Sequence, residues 1–166
     1  MTPEKRIDFA RAEDEQERET VEDIRKFGTH IKHVFDAEGK DPEFSYTVGL
    51  WHTHHHPEVI IVGLKQSLRH ILLNNLNIEI GKGRVFTDGL SAKDVLDGYT
   101  CYFQELPKEL YREYLGWDAW FYDHWDFPAV QMLWPNIHGV YPWDSNASKE
   151  MQWQQPVLTK KPLIVS

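Results

Sequence analysis

The sequence predicts an α+β domain with a mostly antiparallel sheet, an N-terminal helix and an amphipathic helix packed on the sheet. Two stretches carry this prediction. Apolar and polar residues alternate over 44–50, the pattern of a strand with one buried face. Residues 59–62 are an unbroken β-branched run, which is typical of a central strand covered on both faces. The short polar connection between them favours a meander over a crossover, and therefore antiparallel pairing.

Helical spacing recurs in two further segments. Residues 7–27 contain acid-before-base pairs four apart, such as Asp14 with Arg18, and Gly28 supplies a C-terminal stop. Residues 66–80 carry leucine and isoleucine at three- and four-residue spacing, which predicts the amphipathic helix that lies on the sheet. Further strands are predicted over 29–35, 99–106 and 127–134, and 85–97 is interpreted as a loop with a short helical turn.

Length and composition indicate one domain. The chain has 166 residues, of which 41% are hydrophobic, and no repeat or linker divides it. We therefore predict a charged N-terminal helix or arm at 1–27 and a single α+β domain at 28–166. Cys101 is the only cysteine, so an internal disulfide is excluded.

Charge and hydropathy restrict the partners and the compartment. A formal net charge of -8 argues against a nucleic-acid partner, because phosphate contacts require a surplus of lysine and arginine. No run approaches the roughly 18 apolar residues of a membrane span, and no apolar signal segment begins the sequence. We expect a cytoplasmic protein without a membrane partner.

Several long motifs resemble one known family. In chain order they are FSYTVGL, HPEVIIVGL, ILLNNL, YREYLG, WFY, DFPAVQMLWPN and GVYPWD. Between about Gly28 and Leu158 they are similar to the bacterial family catalogued as domain of unknown function 4262. The resemblance implies a small stand-alone domain and no established activity. The chain departs from the family pattern at Thr29, where tryptophan is usual, and at Asn136, where an acid is usual.

A histidine-rich connection supplies the first candidate site. His54 and His56 are two apart, so on an extended segment both side chains point the same way and could ligate a divalent metal such as zinc. His124 is a candidate to complete such a site. An alternative is that the histidines lie in a plain solvent-exposed turn.

The second candidate is the pair His56 and Glu58, which the family resemblance covers. A histidine oriented by a carboxylate can serve as a general base near neutral pH, and Tyr46 on the neighbouring strand is a candidate donor or orienting partner. The structural alternative is that His56-Pro57-Glu58 only shapes the entry into the central strand, with Glu58 capping nearby backbone amides.

The segment 116–134 has more aromatic side chains than one helix face must bury. Aromatic walls with a few polar groups are typical of a small-molecule pocket. The candidate ligand-binding residues are Trp120, Tyr122, Asp126, Gln131 and Trp134.

We interpret the chain as a domain with a small-molecule site between His56-Pro57-Glu58 and the aromatic residues of 120–134, with acid/base or hydrolytic chemistry as one hypothesis. One alternative is a non-enzymatic acidic interaction protein, similar to an immunity protein or an antitoxin, for which the negative net charge is the reason. Metal binding by the histidine loop is another. A protein partner or a homo-oligomer fits the charged N-terminal segment.

Overall fold

A computed structural model describes residues 12–159, and within that range the chain folds around one mixed six-stranded sheet. The predicted α+β class is confirmed. The strand order is β1-β2-β3-β6-β5-β4, and all neighbours are antiparallel except β3 and β6. The strands are β1 (His30–Val34), β2 (Phe44–Val48), β3 (Glu58–Val62), β4 (Ser91–Leu96), β5 (Tyr99–Glu105) and β6 (Ala129–Leu133).

Helices cover both faces of the sheet. The helices are α1 (Glu15–Phe27), α2 (Leu50–His54), α3 (Gln66–Gly81), α4 (Tyr111–Tyr114), α5 (Gly116–Tyr122) and α6 (Lys149–Gln154), and a 3-10 turn at Lys108–Leu110 precedes α4. Helix α3 packs its leucines against one sheet face, while α1, α4 and α5 pack against the other. Strand β3 is therefore buried along its whole length, as its β-branched run predicts.

Helix α1 begins at a capping box. The Asp14 side chain accepts from the Glu17 amide, and the Glu17 side chain accepts from the Asp14 amide in return. Val21 and Ile24 are buried against the sheet, and the helix ends at Gly28 with φ of 90°. The part of the predicted helix before residue 12 lies outside the described residues.

Two local predictions are wrong. Residues 85–97 contain strand β4, which pairs with β5 at the edge of the sheet. Ser91, Lys93 and Asp94 are exposed and polar, while Val95 and Leu96 are apolar neighbours, so the alternation that marks a strand is missing. The extended geometry assumed for the segment that carries His54 is also wrong, because Leu50–His54 forms helix α2. Within residues 12–159 no helix is long and apolar enough to cross a membrane.

Candidate functional site

Glu58 is the most highly coordinated side chain at the predicted site. It begins β3, is fully buried, and accepts hydrogen bonds from the hydroxyls of Tyr122 and Thr47, the second at 2.8 Å. It also accepts from three backbone amides at the start of α2, at distances of 3.1–3.2 Å. These amides belong to Gly49, Leu50 and Trp51. Glu58 therefore caps α2 and ties it to the sheet and to α5.

These contacts determine the charge on Glu58. Three of the five partners are backbone amides, which can only donate, and the two hydroxyls can donate as well, so all five can stabilise an ionised carboxylate. Burial raises the pKa of Glu58 to about 7, and the hydrogen bonds oppose that shift because they stabilise the ionised form. The geometry fits a carboxylate at neutral pH.

A second buried carboxyl lies near the first. Asp118 on α5 is fully buried, and neither of its oxygens has a hydrogen-bond partner among residues 12–159. Burial, together with the charge of Glu58, raises the pKa of Asp118 well above its ordinary value. Ionising two neighbouring buried carboxyls at once costs a large free energy, so one of them keeps its proton. Within the described part of the chain, Asp118 has no hydrogen-bond donors to stabilise a negative charge. The proton is therefore on Asp118, and the negative charge is on Glu58.

His56 is held on both ring nitrogens. The Phe86 amide donates to Nε2 at 2.8 Å, so Nε2 is unprotonated, and Nδ1 donates to the Pro57 carbonyl at 2.7 Å. The side chain is only 3% exposed, and burial lowers its pKa. Both ring nitrogens therefore make hydrogen bonds to the backbone, which favours a structural role for His56 and a neutral imidazole ring.

We expect His56→Ala to lower the free energy of unfolding by about 2–4 kcal/mol, because it leaves the buried Phe86 amide unpaired and opens a cavity. Urea denaturation followed by circular dichroism measures the change. The exposed neighbour His54 provides the control, since His54→Ala should shift stability by less than about 0.5 kcal/mol. A His56→Ala protein as stable as the wild type would contradict the structural role and favour a catalytic one.

The predicted catalytic residues make hydrogen bonds to different partners. Tyr46 is buried, and its hydroxyl accepts from the Trp117 amide at 3.0 Å. Tyr122 is the residue that meets Glu58, and its hydroxyl also accepts from the His52 amide at 3.0 Å. The sequence assigned Tyr122 to a ligand pocket, whereas the structure places it in the network that holds α2.

The three histidines predicted to bind a metal make contacts in different parts of the structure. His54 is exposed at the end of α2, while the ring of His56 turns inward to Phe86. His124 is exposed, and its Nδ1 accepts from the Asp126 amide at 3.0 Å. Across residues 12–159 no group of three histidine, cysteine or acidic side chains is arranged to hold a metal ion.

A large groove lies at the carboxyl ends of β3 and β6, where the two parallel strands leave the sheet. Its volume is about 900 Å³. Trp134 and Pro135 follow β6, Leu64 follows β3, and Leu68 and Trp153 come from α3 and α6. Acidic residues of the β1–β2 turn, Asp36, Asp41 and Glu43, stand along the rim. Ligands of open sheets commonly bind outside the carboxyl ends of parallel strands.

The floor of the groove is tightly packed and locally strained. A Cβ on Gly63 would lie 2.6 Å from the Gln154 carbonyl oxygen and 2.7 Å from the Trp134 ring, so only glycine fits there. Leu64, the next residue, has φ of 66°, which is unusual for a side chain of its size. Backbone strain of this kind concentrates at functional sites.

A buried cation holds this strained turn from below. The Arg69 side chain is fully buried, and Nη1 donates to the Leu64 carbonyl at 2.6 Å and to the Gly63 carbonyl at 3.3 Å. Nε donates to the Ser45 hydroxyl at 2.7 Å, while Nη2 lies 3.6 Å from the Glu43 carboxylate and has no hydrogen-bond partner among residues 12–159. Arg69 thereby joins the groove floor to strand β2 and to the rim.

Residues 23–148 match the model of the family described as "Domain of unknown function (DUF4262)", which covers more than half of the chain. The chain belongs to the DUF4262 family. The match starts within α1 and takes in all six strands of the sheet described above. No curated protein and no solved structure matches the chain.

The remaining predicted ligand residues of this DUF4262 domain are distributed over separate places. Trp134 lines the groove, and Trp120 lines a second pocket on the opposite face of the sheet. Gln131 is buried, donating to the Pro156 carbonyl and accepting from the Leu158 amide, both at 2.9 Å, so it fastens the chain after α6. Asp126 has a side chain 97% exposed and pairs with Lys108.

Sequence reasoning missed Arg69, Thr47 and most of the groove. One signal was available for Arg69, which lies three and four residues before Leu72 and Leu73 on the buried side of α3. An arginine inside an apolar stripe indicates a buried charge with fixed partners. The groove had no such signal, because its walls come from segments far apart in the DUF4262 sequence.

Proposed function

We propose that this domain binds a small, largely apolar organic molecule in the groove at the carboxyl ends of β3 and β6. The observation that carries the proposal is the groove itself. Its volume of about 900 Å³ falls in the range of roughly 300–1,000 Å³ typical of ligand pockets. Its lining combines apolar and aromatic walls with a few polar groups, which is the composition expected of such a site.

The rigidity of the groove supports the same proposal. The Trp134 indole donates to the Val62 carbonyl at 2.8 Å, and the Trp134 amide donates to the Gln155 side chain at 2.9 Å. With the Gly63–Leu64 turn held by Arg69, the floor cannot collapse to fill the space. A wall fixed before binding lowers the entropic cost of holding a ligand.

Two exposed isoleucines allow a matched test. Ile137 lines the groove and is 79% exposed, whereas Ile78 is 54% exposed on α3 and is absent from the groove lining. We expect compounds found by ligand-observed NMR on the wild type to bind Ile137→Glu at least tenfold more weakly, because a charge at the wall disfavours apolar contact. Ile78→Glu should bind them as the wild type does.

The screen uses a panel of small aromatic and aliphatic compounds, with dissociation constants then measured by NMR titration. Equal weakening by both substitutions would indicate an unspecific effect of charge. Binding unaffected by Ile137→Glu, or a panel without any ligand, would contradict the proposal.

A further inference from the structure

A second pocket, of about 490 Å³, lies on the sheet face opposite α3. Five of its walls are aromatic rings. Phe44 and Tyr46 are two apart on β2 and so face the same side, while Trp117 and Trp120 are three apart on α5. The five rings, called the aromatic pocket below, are Phe44, Tyr46, Tyr114, Trp117 and Trp120.

Contacts among the rings hold the aromatic pocket in shape. Tyr114 meets Phe44 edge-on with centroids 5.1 Å apart, and Trp120 meets Trp117 edge-on at 5.2 Å. The Tyr46 hydroxyl accepts from the Trp117 amide at 3.0 Å, which joins the strand wall to the helix wall. The pocket is therefore formed before any ligand arrives.

The ammonium group of a lysine side chain already contacts one of these rings. Lys32 lies opposite Tyr46 in the β1–β2 register, and its Nζ is 4.5 Å from the ring centroid of Trp117. That distance is within the range of a cation–π contact, in which the negative ring face attracts the ammonium. Lys32 is half-buried, and this burial lowers the pKa of its ammonium.

We propose that the aromatic pocket binds an alkylammonium group of a small molecule, which displaces the Lys32 ammonium from Trp117. A quaternary ammonium is bulky and weakly hydrated, so ring faces recognise it better than they recognise the ammonium of lysine. Two acidic and two basic side chains stand around the pocket, so ring faces rather than ion pairs provide the selectivity. These charged residues are Glu17, Glu113, Lys32 and Arg112.

The test compares choline with 3,3-dimethylbutan-1-ol, an uncharged molecule of the same shape, by NMR titration of the full chain. We expect choline to bind about tenfold more tightly, because only choline gains the cation–π attraction. Equal affinity for the two, or no binding of choline, would overturn the proposal.

Two substitutions locate the site. Lys32→Met should tighten choline binding several-fold because the competing ammonium is gone, and Trp117→Leu should weaken it at least tenfold. Lys93→Met, on the exposed edge strand β4, is the matched control and should leave the affinity unchanged. If circular dichroism shows that Trp117→Leu is misfolded, the Lys32→Met variant tests the proposal instead. Unchanged or weaker choline binding by Lys32→Met would mean that choline binds elsewhere, and it would overturn the proposal.

Discussion

Replacing Glu58 by leucine is expected to destabilise the fold by roughly 4 kcal/mol or more, because three buried amides at the start of α2 and two hydroxyls lose their acceptor. Domains of this size are stable by only about 5–15 kcal/mol, so Glu58→Leu should leave a substantial unfolded fraction under mild conditions. Glu58→Gln keeps one oxygen acceptor and should cost about 2 kcal/mol. Urea denaturation of both variants measures the loss.

A double-mutant cycle separates the network from simple packing. Tyr122→Phe removes the hydroxyl that donates to Glu58 and leaves the ring in place. Combined with Glu58→Gln, it should show a coupling energy of about 1 kcal/mol or more, since the two groups share one hydrogen bond. Additive effects, or a Glu58→Gln protein as stable as the wild type, would contradict the role of Glu58 as the cap of α2.

The elements with strong local patterns could be predicted from the sequence. Strand β3 has its β-branched run, α3 has its leucine spacing, and Gly28 marks the end of α1. Strand β4 could not be predicted, because its apolar and polar residues do not follow a period of two. The parallel pairing of β3 with β6 also has no local signature, since it joins segments about 70 residues apart.

The sequence predicted several residues of the candidate site but not how those residues contact one another. The alternative in which Glu58 caps backbone amides is the one that its contacts match. Sequence spacing could not reveal that His56 turns toward Phe86, thirty residues away, or that Tyr122 rather than His56 meets Glu58. Side-chain direction depends on the fold, and helix α2 breaks the extended geometry on which the spacing argument for His54 and His56 rested.

Stability should decrease with rising pH because of the two buried carboxyls, and Asp118→Asn should remove much of that decrease. Burial raises the pKa of Glu58 to about 7 and that of Asp118 well above its ordinary value, so above about pH 4 these two carboxyls hold more protons in the folded protein than in the unfolded chain. Each extra proton makes the free energy of unfolding fall by about 1.4 kcal/mol per pH unit until the raised pKa is passed. Asp118→Asn needs no proton, so above about pH 4 its stability should rise relative to that of the wild type by up to about 1.4 kcal/mol per pH unit, until the raised pKa of Asp118 is passed.

The difference between variant and wild type is the quantity to measure, because two histidines act in the opposite direction. Burial lowers the pKa of His33 to about 4 and also lowers that of His56, so their contributions rise with pH and level off near pH 6.5. Both remain in Asp118→Asn and cancel in the comparison. Asp126→Asn is the matched control, since it makes the same acid-to-amide change at a side chain that is 97% exposed. An Asp118→Asn profile parallel to the wild type would mean that Asp118 carries no extra proton in the fold, and the assignment of the charge to Glu58 would then be wrong.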